Sequence, residues 1–359
     1  MTTFVRSPLR LLEALATPHG VDRYLELVAP MLTVRELRAE VTDVRRPTAD
    51  TVTLTLRPTR QWRGFRAGQF VQLTLDIDGV RRTRCYSPSC SQYRADGRIE
   101  LTVKAHPDGL VSNYLVAQAR PGLVLGLSQA DGTFCLPDDR PDRIVLISGG
   151  SGITPVLAMV RTLCDEGYSG QIVFLHYAYT ADDVPHAAEL RALAAANPNI
   201  RLAFGYTDSG DGDVHGYFSR AHLEAVVPAY GDADTFVCGP PGLMRAVREH
   251  YKSLEFLDRL HAEEFAPPLV AVPDDASGRV AFTASGAATD NSGATLLEQA
   301  EAAGLSPEYG CRMGICFSCT QIKTSGCTRN IRTGETNSDP DTEIQLCINV
   351  PVGDVALDI

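Results

Sequence analysis

The sequence contains no apolar run approaching the roughly 18 residues that a membrane-spanning helix requires, so a helical span is not expected. Positive charge is short as well: 33 Lys and Arg stand against 44 Asp and Glu, a formal net charge of -11. Phosphate backbones are neutralised by clustered bases, and no basic stripe makes up the deficit, so nucleic acid is not an expected partner. The first residues, "MTTFVRSPLRLLEALATPHGVDRYLELVAPML", lack the cationic start, unbroken apolar run and small-residue cleavage site of a secretory signal, and a cytoplasmic location is expected. Histidine is sparse, 8 residues with no H-x-x-x-H or E-x-x-H set for a di-iron centre, and no haem-binding motif appears. An oxygen-activating site is therefore not expected in this chain.

What is present is ordinary globular text with an unusual end. A length of 359 residues points to two or three domains, and 44% hydrophobic with 21% charged residues is enough to bury real cores. Residues 1–35 read as a helical extension, with Leu9, Leu12, Leu15, Tyr24, Leu25, Val28, Met31 and Leu32 near helical spacing. Residues 36–139 change to short strands such as "TVTLTL" and "RIELTVKA" between Gly, Pro and Asp turns, which predicts a small antiparallel β-barrel or sandwich. Over 140–262 buried strands alternate with helices, the rhythm of a parallel α/β domain. Residues 263–276, rich in proline and acid, read as a linker, and 277–359 as short strands around a cysteine-rich loop.

Ten cysteines in a reducing compartment are thiols or metal ligands rather than disulfides. Cys311, Cys316 and Cys319 form C-x4-C-x2-C in "YGCRMGICFSC", and Cys347 follows in "LCINV". Structural zinc usually takes two short C-x2-C knuckles, whereas one asymmetric triple and one distant single is the spacing of a plant-type [2Fe-2S] site. Gly310 and Gly314 let the backbone approach the sulfides closely. This segment resembles plant-type ferredoxin domains, for which a β-grasp fold is expected. The resemblance makes Cys311, Cys316, Cys319 and Cys347 the ligands and leaves Cys327 a free thiol. A zinc-filled structural or regulatory protein is the rival from another class.

Two further groupings carry chemistry. In "RTRCYSPS", Arg84, Cys85, Tyr86 and Ser87 put a cation, an aromatic and a hydroxyl on one strand, the three things a flavin asks for: a phosphate partner, a ring surface and a hydrogen bond at the reactive nitrogen. In "VKAHPDGLVSNYL", Gly109 and Ser112 fall at a helix start suited to pyrophosphate. "ISGGSGITPVLAM" places Gly150, Gly152 and Pro155 as G-x-G-x-x-P between a strand and a helix, a phosphate loop lacking the third glycine of the dinucleotide fingerprint. "CGPPGLM" puts Cys238, Gly239 and Pro240 at the carboxyl end of the strand "TFV", where open α/β sheets receive ligands.

Together these motifs resemble the ferredoxin-NADP reductase superfamily, which makes residues 36–139 a flavin-binding barrel rather than a sandwich. The resemblance implies that Arg84, Cys85, Tyr86 and Ser87 contact the flavin, that Val103, Lys104, Gly109, Val111 and Ser112 meet its phosphates, and that the flavin is FAD rather than FMN. It implies that Cys238 lies beside the nicotinamide, that Thr154 lines the same cleft, and that Glu263 and Phe265 close the flavin site as an E-x-F. Ser87, Thr154, Cys238 and Glu263 are then the candidate catalytic residues.

NADPH is preferred to NADH on the same resemblance, although "HYAYTADD" offers Tyr179, Asp182 and Asp183 where a 2'-phosphate would want a base; Ser219 and Arg220 are the alternative. Nearly the whole chain resembles actinobacterial reductases that feed membrane-bound di-iron acyl-CoA desaturases. Similar reductases serve ring-hydroxylating dioxygenases, alkane hydroxylases and haem-thiolate monooxygenases. The expected activity is conversion of the nicotinamide hydride pair into single electrons for a separate oxygenase or desaturase, the latter placing the protein in fatty acid desaturation. The helical extension is expected to pack on the barrel or touch a membrane enzyme peripherally. The acidic residues Glu335, Asp339, Asp341, Glu343, Asp354 and Asp358 predict, if used, a basic acceptor.

Overall fold

A computed structural model describes residues 21–107, 109–227, 230–265, 277–314 and 316–359. The expected helical positions Leu9, Leu12 and Leu15 and most of the expected linker lie outside these residues. Within them, helix α1 (Val21–Val28) is tied down at its start: the Asp22 carboxylate accepts from the backbone N–H groups of Val34, Arg35 and Glu36 at 2.6, 2.9 and 2.7 Å. Tyr24, Val28 and Leu32 remain exposed. No helix among the described residues is long and apolar enough to cross a membrane.

The first sheet contains β1 (Arg38–Thr48), β2 (Thr51–Pro58), β3 (Val71–Ile77), β4 (Val80–Tyr86), β5 (Ile99–Lys104) and β6 (Val124–Leu127) in the order β4-β3-β6-β1-β2-β5. Its sequence explains it. In "VQLTLDI" every second side chain is buried, the period of a half-buried antiparallel strand. Asp78 and Gly79, at φ 52° and 76°, make the two-residue turn to β4 that right-handed strand twist favours. Helix α2 (Leu110–Gln118) supplies Val111 and Leu115 to a core with Val52, Leu54, Leu73 and Leu101.

The second sheet is parallel throughout, with β7 (Arg143–Gly149), β8 (Gln171–Ala178), β9 (Ile200–Tyr206), β10 (Val214–His215), β11 (Asp234–Gly239) and β12 (Leu260–Glu264) in the order β10-β9-β8-β7-β11-β12. Helices α3 (Ile153–Asp165), α4 (Ala187–Ala196), α5 (Arg220–Val226) and α6 (Pro241–Ser253) connect the strands. The order reverses between β7 and β11, and such a switch point opens a crevice at the strands' carboxyl ends. The G-x-G-x-x-P and C-G-P-P segments both sit there.

The third sheet, β13 (Arg279–Phe282), β14 (Ala287–Asp290), β15 (Thr320–Asn330), β16 (Thr336–Asn337), β17 (Thr342–Gln345) and β18 (Asn349–Leu357), runs β14-β13-β18-β15-β16, with β17 also pairing β15. Its β13–β18 pair is parallel and the others antiparallel, and helix α7 (Leu296–Ala302) buries Leu296, Leu297 and Ala300 in the core. A mixed sheet with one packed helix is the β-grasp arrangement. The architecture is thus the antiparallel barrel-like sheet, parallel α/β sheet and β-grasp read from the sequence.

By contact, the described residues fall into two compact units. Residues up to Arg82, Tyr86–Asp138 and Leu157–Tyr168 make one, and Thr83–Cys85, Asp139–Val156 and Ser169–Ile359 the other. Three residues of β4 therefore group with the unit that holds the parallel and β-grasp sheets.

Candidate redox site

On the first sheet, Tyr86 ends β4 half-buried against the core, and Ser87 is 2% exposed. The Ser87 hydroxyl is buried with no hydrogen-bond partner among the described residues. An orphaned hydroxyl costs stability unless something accepts or donates to it, so the position suits a bound polar group. Val103 is buried on β5, and the neighbouring Lys104 ammonium lies 3.2 Å from Asp50. Gly109 caps α2, and a Cβ there would fall 2.3 Å from Ser112 Oγ. Ser112 Oγ donates to the Gly109 carbonyl at 3.0 Å and accepts from His106 N–H at 3.2 Å, so this hydroxyl shapes the loop at the helix start.

At the switch point Gly150 has φ 52°, and Gly152 is glycine for a reason that spacing alone did not give: a Cβ would lie 2.2 Å from the Cys238 carbonyl oxygen. The loop after β7 is thus packed directly on the end of β11. Pro155 is buried in the first turn of α3, where no N–H is needed. Thr154, also buried, donates to the Ser151 carbonyl at 3.2 Å. Gly239 is buried, and Pro240 is the exposed N-cap of α6.

Cys238 is fully buried, paired in register with Glu263 of β12. Burial first, then the Glu263 and Glu264 carboxylates, push its thiol well above the ordinary value, so it is held neutral. Glu263 is 8% exposed with Oε2 lacking a hydrogen-bond partner among the described residues, and burial raises its carboxyl to about 8 against a weaker opposing pull from Arg332. Phe265, half-buried, follows β12. Of the candidate nucleotide selectors, Tyr179 is exposed, Ser219 Oγ caps α5 by accepting from His222 N–H, and Arg220 pairs with Glu224 at 2.6 Å.

In the β-grasp sheet the four motif cysteines stand as two pairs. Cys311 interacts with Cys316, and Cys319 with Cys347. Within each pair one thiol is held down, Cys316 and Cys319, and the other up, Cys311 and Cys347, chiefly because each thiol acts on its neighbour. Backbone donors reach the first pair: Cys311 N–H to Cys316 Sγ at 3.1 Å and Met313 N–H to Cys311 Sγ at 3.3 Å. A Cβ on Gly310 would lie 2.8 Å from Cys316 Sγ, and one on Gly314 2.6 Å from Ile348, so both glycines are required by close approach.

Among the described residues no three His, Cys, Asp or Glu side chains gather around one ion. Cys327 is a free thiol on β15. Sequence reasoning did not find a fifth cysteine here: Cys85 of β4 touches both Cys311 and Cys316, which raise its thiol.

A barrel-like sheet with an orphaned hydroxyl beside an aromatic, and a parallel sheet whose glycine loop packs on a buried cysteine, define a pyridine-nucleotide-dependent flavin oxidoreductase. Residues 38–135 match the oxidoreductase FAD-binding domain and residues 146–249 the oxidoreductase NAD-binding domain. An NADPH oxidoreductase of Mycobacterium tuberculosis is 38% identical over 352 residues, covering 96% of this chain and 90% of that protein. The glycine betaine monooxygenase reductase subunit of Pseudomonas aeruginosa is 32% identical, covering 82% and 87%. The solved structure of phthalate dioxygenase reductase, described as modular for electron transfer from pyridine nucleotides to [2Fe-2S], superimposes with a TM-score of 0.63 at 21% identity over 90% of this chain and 98% of that one. The chain belongs to the NAD(P)H-dependent oxidoreductases of the ferredoxin reductase type, with FAD-binding and NAD-binding domains.

Proposed function

We propose that the chain takes electrons from NADPH and delivers them singly, through FAD and a [2Fe-2S] cluster, to a separate terminal oxygenase or desaturase. The observation that carries the reading is the two cysteine pairs at the C-terminal sheet of a chain whose other two sheets are flavin and nucleotide domains. When bound, the flavin supplies the exchange between a hydride pair and single electrons, and the cluster supplies a one-electron carrier.

The chain's own residues would do the rest. Tyr86 and the helix start at Gly109 hold the flavin, with Ser87 Oγ as its buried hydrogen-bond partner. Arg84, Cys85, Val103, Lys104, Val111 and Ser112 frame the same segment. Gly150, Gly152, Thr154, Pro155, Gly239 and Pro240 shape the nucleotide loop, with Cys238 as a neutral, water-free wall for the nicotinamide. Glu263, neutral at pH 7, holds a proton next to Cys238. Cys311 and Cys316 would ligate one iron, Cys319 and Cys347 the other.

Names of relatives support the acceptor class: one serves a monooxygenase, and the fold match is a dioxygenase reductase. NADPH follows the name of the Mycobacterium tuberculosis relative. Of particular acceptors, the sequence resemblance points to a membrane di-iron acyl-CoA desaturase. The test is conversion of stearoyl-CoA to its monounsaturated product by desaturase-bearing membranes, with and without this protein, using NADPH and NADH in parallel. Product that requires the added chain is expected. No product from a preparation that still reduces cytochrome c would remove the desaturase and leave a hydroxylating oxygenase as the acceptor.

A further inference from the structure

Strand β4 and the cysteine loop meet at a contact that the assigned roles do not use. Arg84 Nη1 donates to the Gly310 carbonyl at 3.2 Å, and its guanidinium lies 5.8 Å from the centre of the Tyr309 ring. The other cation on that ring, Arg312, stands 4.0 Å from its centre and is held by an ion pair to Glu301. Tyr309 is half-buried, with its ring packed on the β-grasp core. One residue beyond Arg84, Cys85 touches Cys311 and Cys316. One residue beyond that, Tyr86 begins the expected flavin surface. The Tyr309 ring thus has two guanidinium groups within cation–π reach, each contact contributing on the order of 1 kcal/mol or less where partly exposed.

We propose that Tyr309 is a positioning residue: in contact with both Arg312 and Arg84, it holds the cysteine loop on strand β4 and so sets how fast electrons pass from flavin to cluster. The inference rests on the reading of the previous section. The transfer it would govern, of one electron between a bound flavin and a bound cluster, makes or breaks no bond. Tyr309 acts through Gly310 and Arg84.

The test uses full-length protein loaded with flavin and iron. In Tyr309→Leu, NADPH should bleach the flavin at the wild-type rate in stopped flow. Cluster reduction should slow roughly five- to tenfold, as loss of a partly desolvated cation–π contact would give. A second readout needs no turnover: Cys85 in the oxidised protein should be alkylated by iodoacetamide several-fold faster once the loop no longer shields it. Tyr309→Phe keeps the ring but loses the hydroxyl that also engages Arg312, and should fall nearer to wild type than to Tyr309→Leu in both.

If Tyr309→Leu does not retain iron, Arg312→Met, which removes the ring's nearer cation, is read in its place. Wild-type cluster reduction and Cys85 alkylation in the iron-replete variant would overturn the proposal, as would equal slowing of flavin and cluster reduction. Wild-type protein that binds no iron would instead overturn the function itself, whatever the variants do.

Discussion

Glu263 is buried in a strand, one carboxylate oxygen without a hydrogen-bond partner among the described residues, and its raised value of about 8 has two consequences. In the unfolded chain the group titrates near 4.5, so between that pH and about 8 the folded state keeps a proton that the unfolded state has lost. The associated stability is complete below the unfolded value and is lost as pH rises through the folded one, by at most about 1.4 kcal/mol per pH unit. Glu263→Gln should flatten that dependence, seen as urea midpoints that converge with wild type at low pH and exceed it above pH 8. A wild-type slope in the variant would place the proton elsewhere. The same proton stands beside Cys238, so flavin reduction should also change through pH 8 in wild type and not in the variant. Cys238→Ala should slow hydride transfer about tenfold, roughly 1.4 kcal/mol of barrier, while nucleotide affinity changes less; equal rates in stopped flow would deny the cysteine its role.

Much of this was legible, because ligand spacing is a local property. The C-x4-C-x2-C run, the R-x-Y-S tetrapeptide and the glycine loop all read directly. Burial and partnership are not local. Sequence offered Ser219 and Arg220 as phosphate ligands, yet one caps a helix and the other is paired with Glu224 four residues on, as N-capping and i,i+4 preferences dictate. Cys85 read as one letter of a flavin motif, and only folding brings it to Cys311 and Cys316.

At the scale of elements, alternation in "VQLTLDI" and buried runs such as "RIVLISG" specified the strands, and turn chemistry their ends. What they did not specify is why β5 carries a buried acid. Glu100 is 4% exposed and lies 2.7 Å from Arg161 Nη1 of α3, with Arg45 of β1 on its other oxygen. The single Glu in "RIELTVK" was the available signal, but its two closest cationic partners come from 55 and 61 residues away. Arg161→Met removes one of the two close cations of a buried carboxylate and should cost about 3 kcal/mol in urea denaturation; a change within experimental error would show that Arg45, Arg94 and Ser89 suffice. Gly152→Ala places a methyl against backbone at the end of β11, which cannot move aside without breaking the β7–β11 ladder. Nucleotide binding should be lost before flavin binding, and unchanged NADPH affinity would contradict the close packing.

For the whole molecule, the three sheets follow the chain in the order flavin, nucleotide, cysteine loop, and the account depends on the last being a redox centre. The direct measurement is metal content with anaerobic NADPH reduction followed by electron paramagnetic resonance, in wild type and Cys347→Ala. The account predicts about two iron and two sulfide per chain and a reduced [2Fe-2S] signal that NADPH generates and Cys347→Ala abolishes. One zinc per chain, or a flavin that NADPH reduces with no iron signal following, would contradict it.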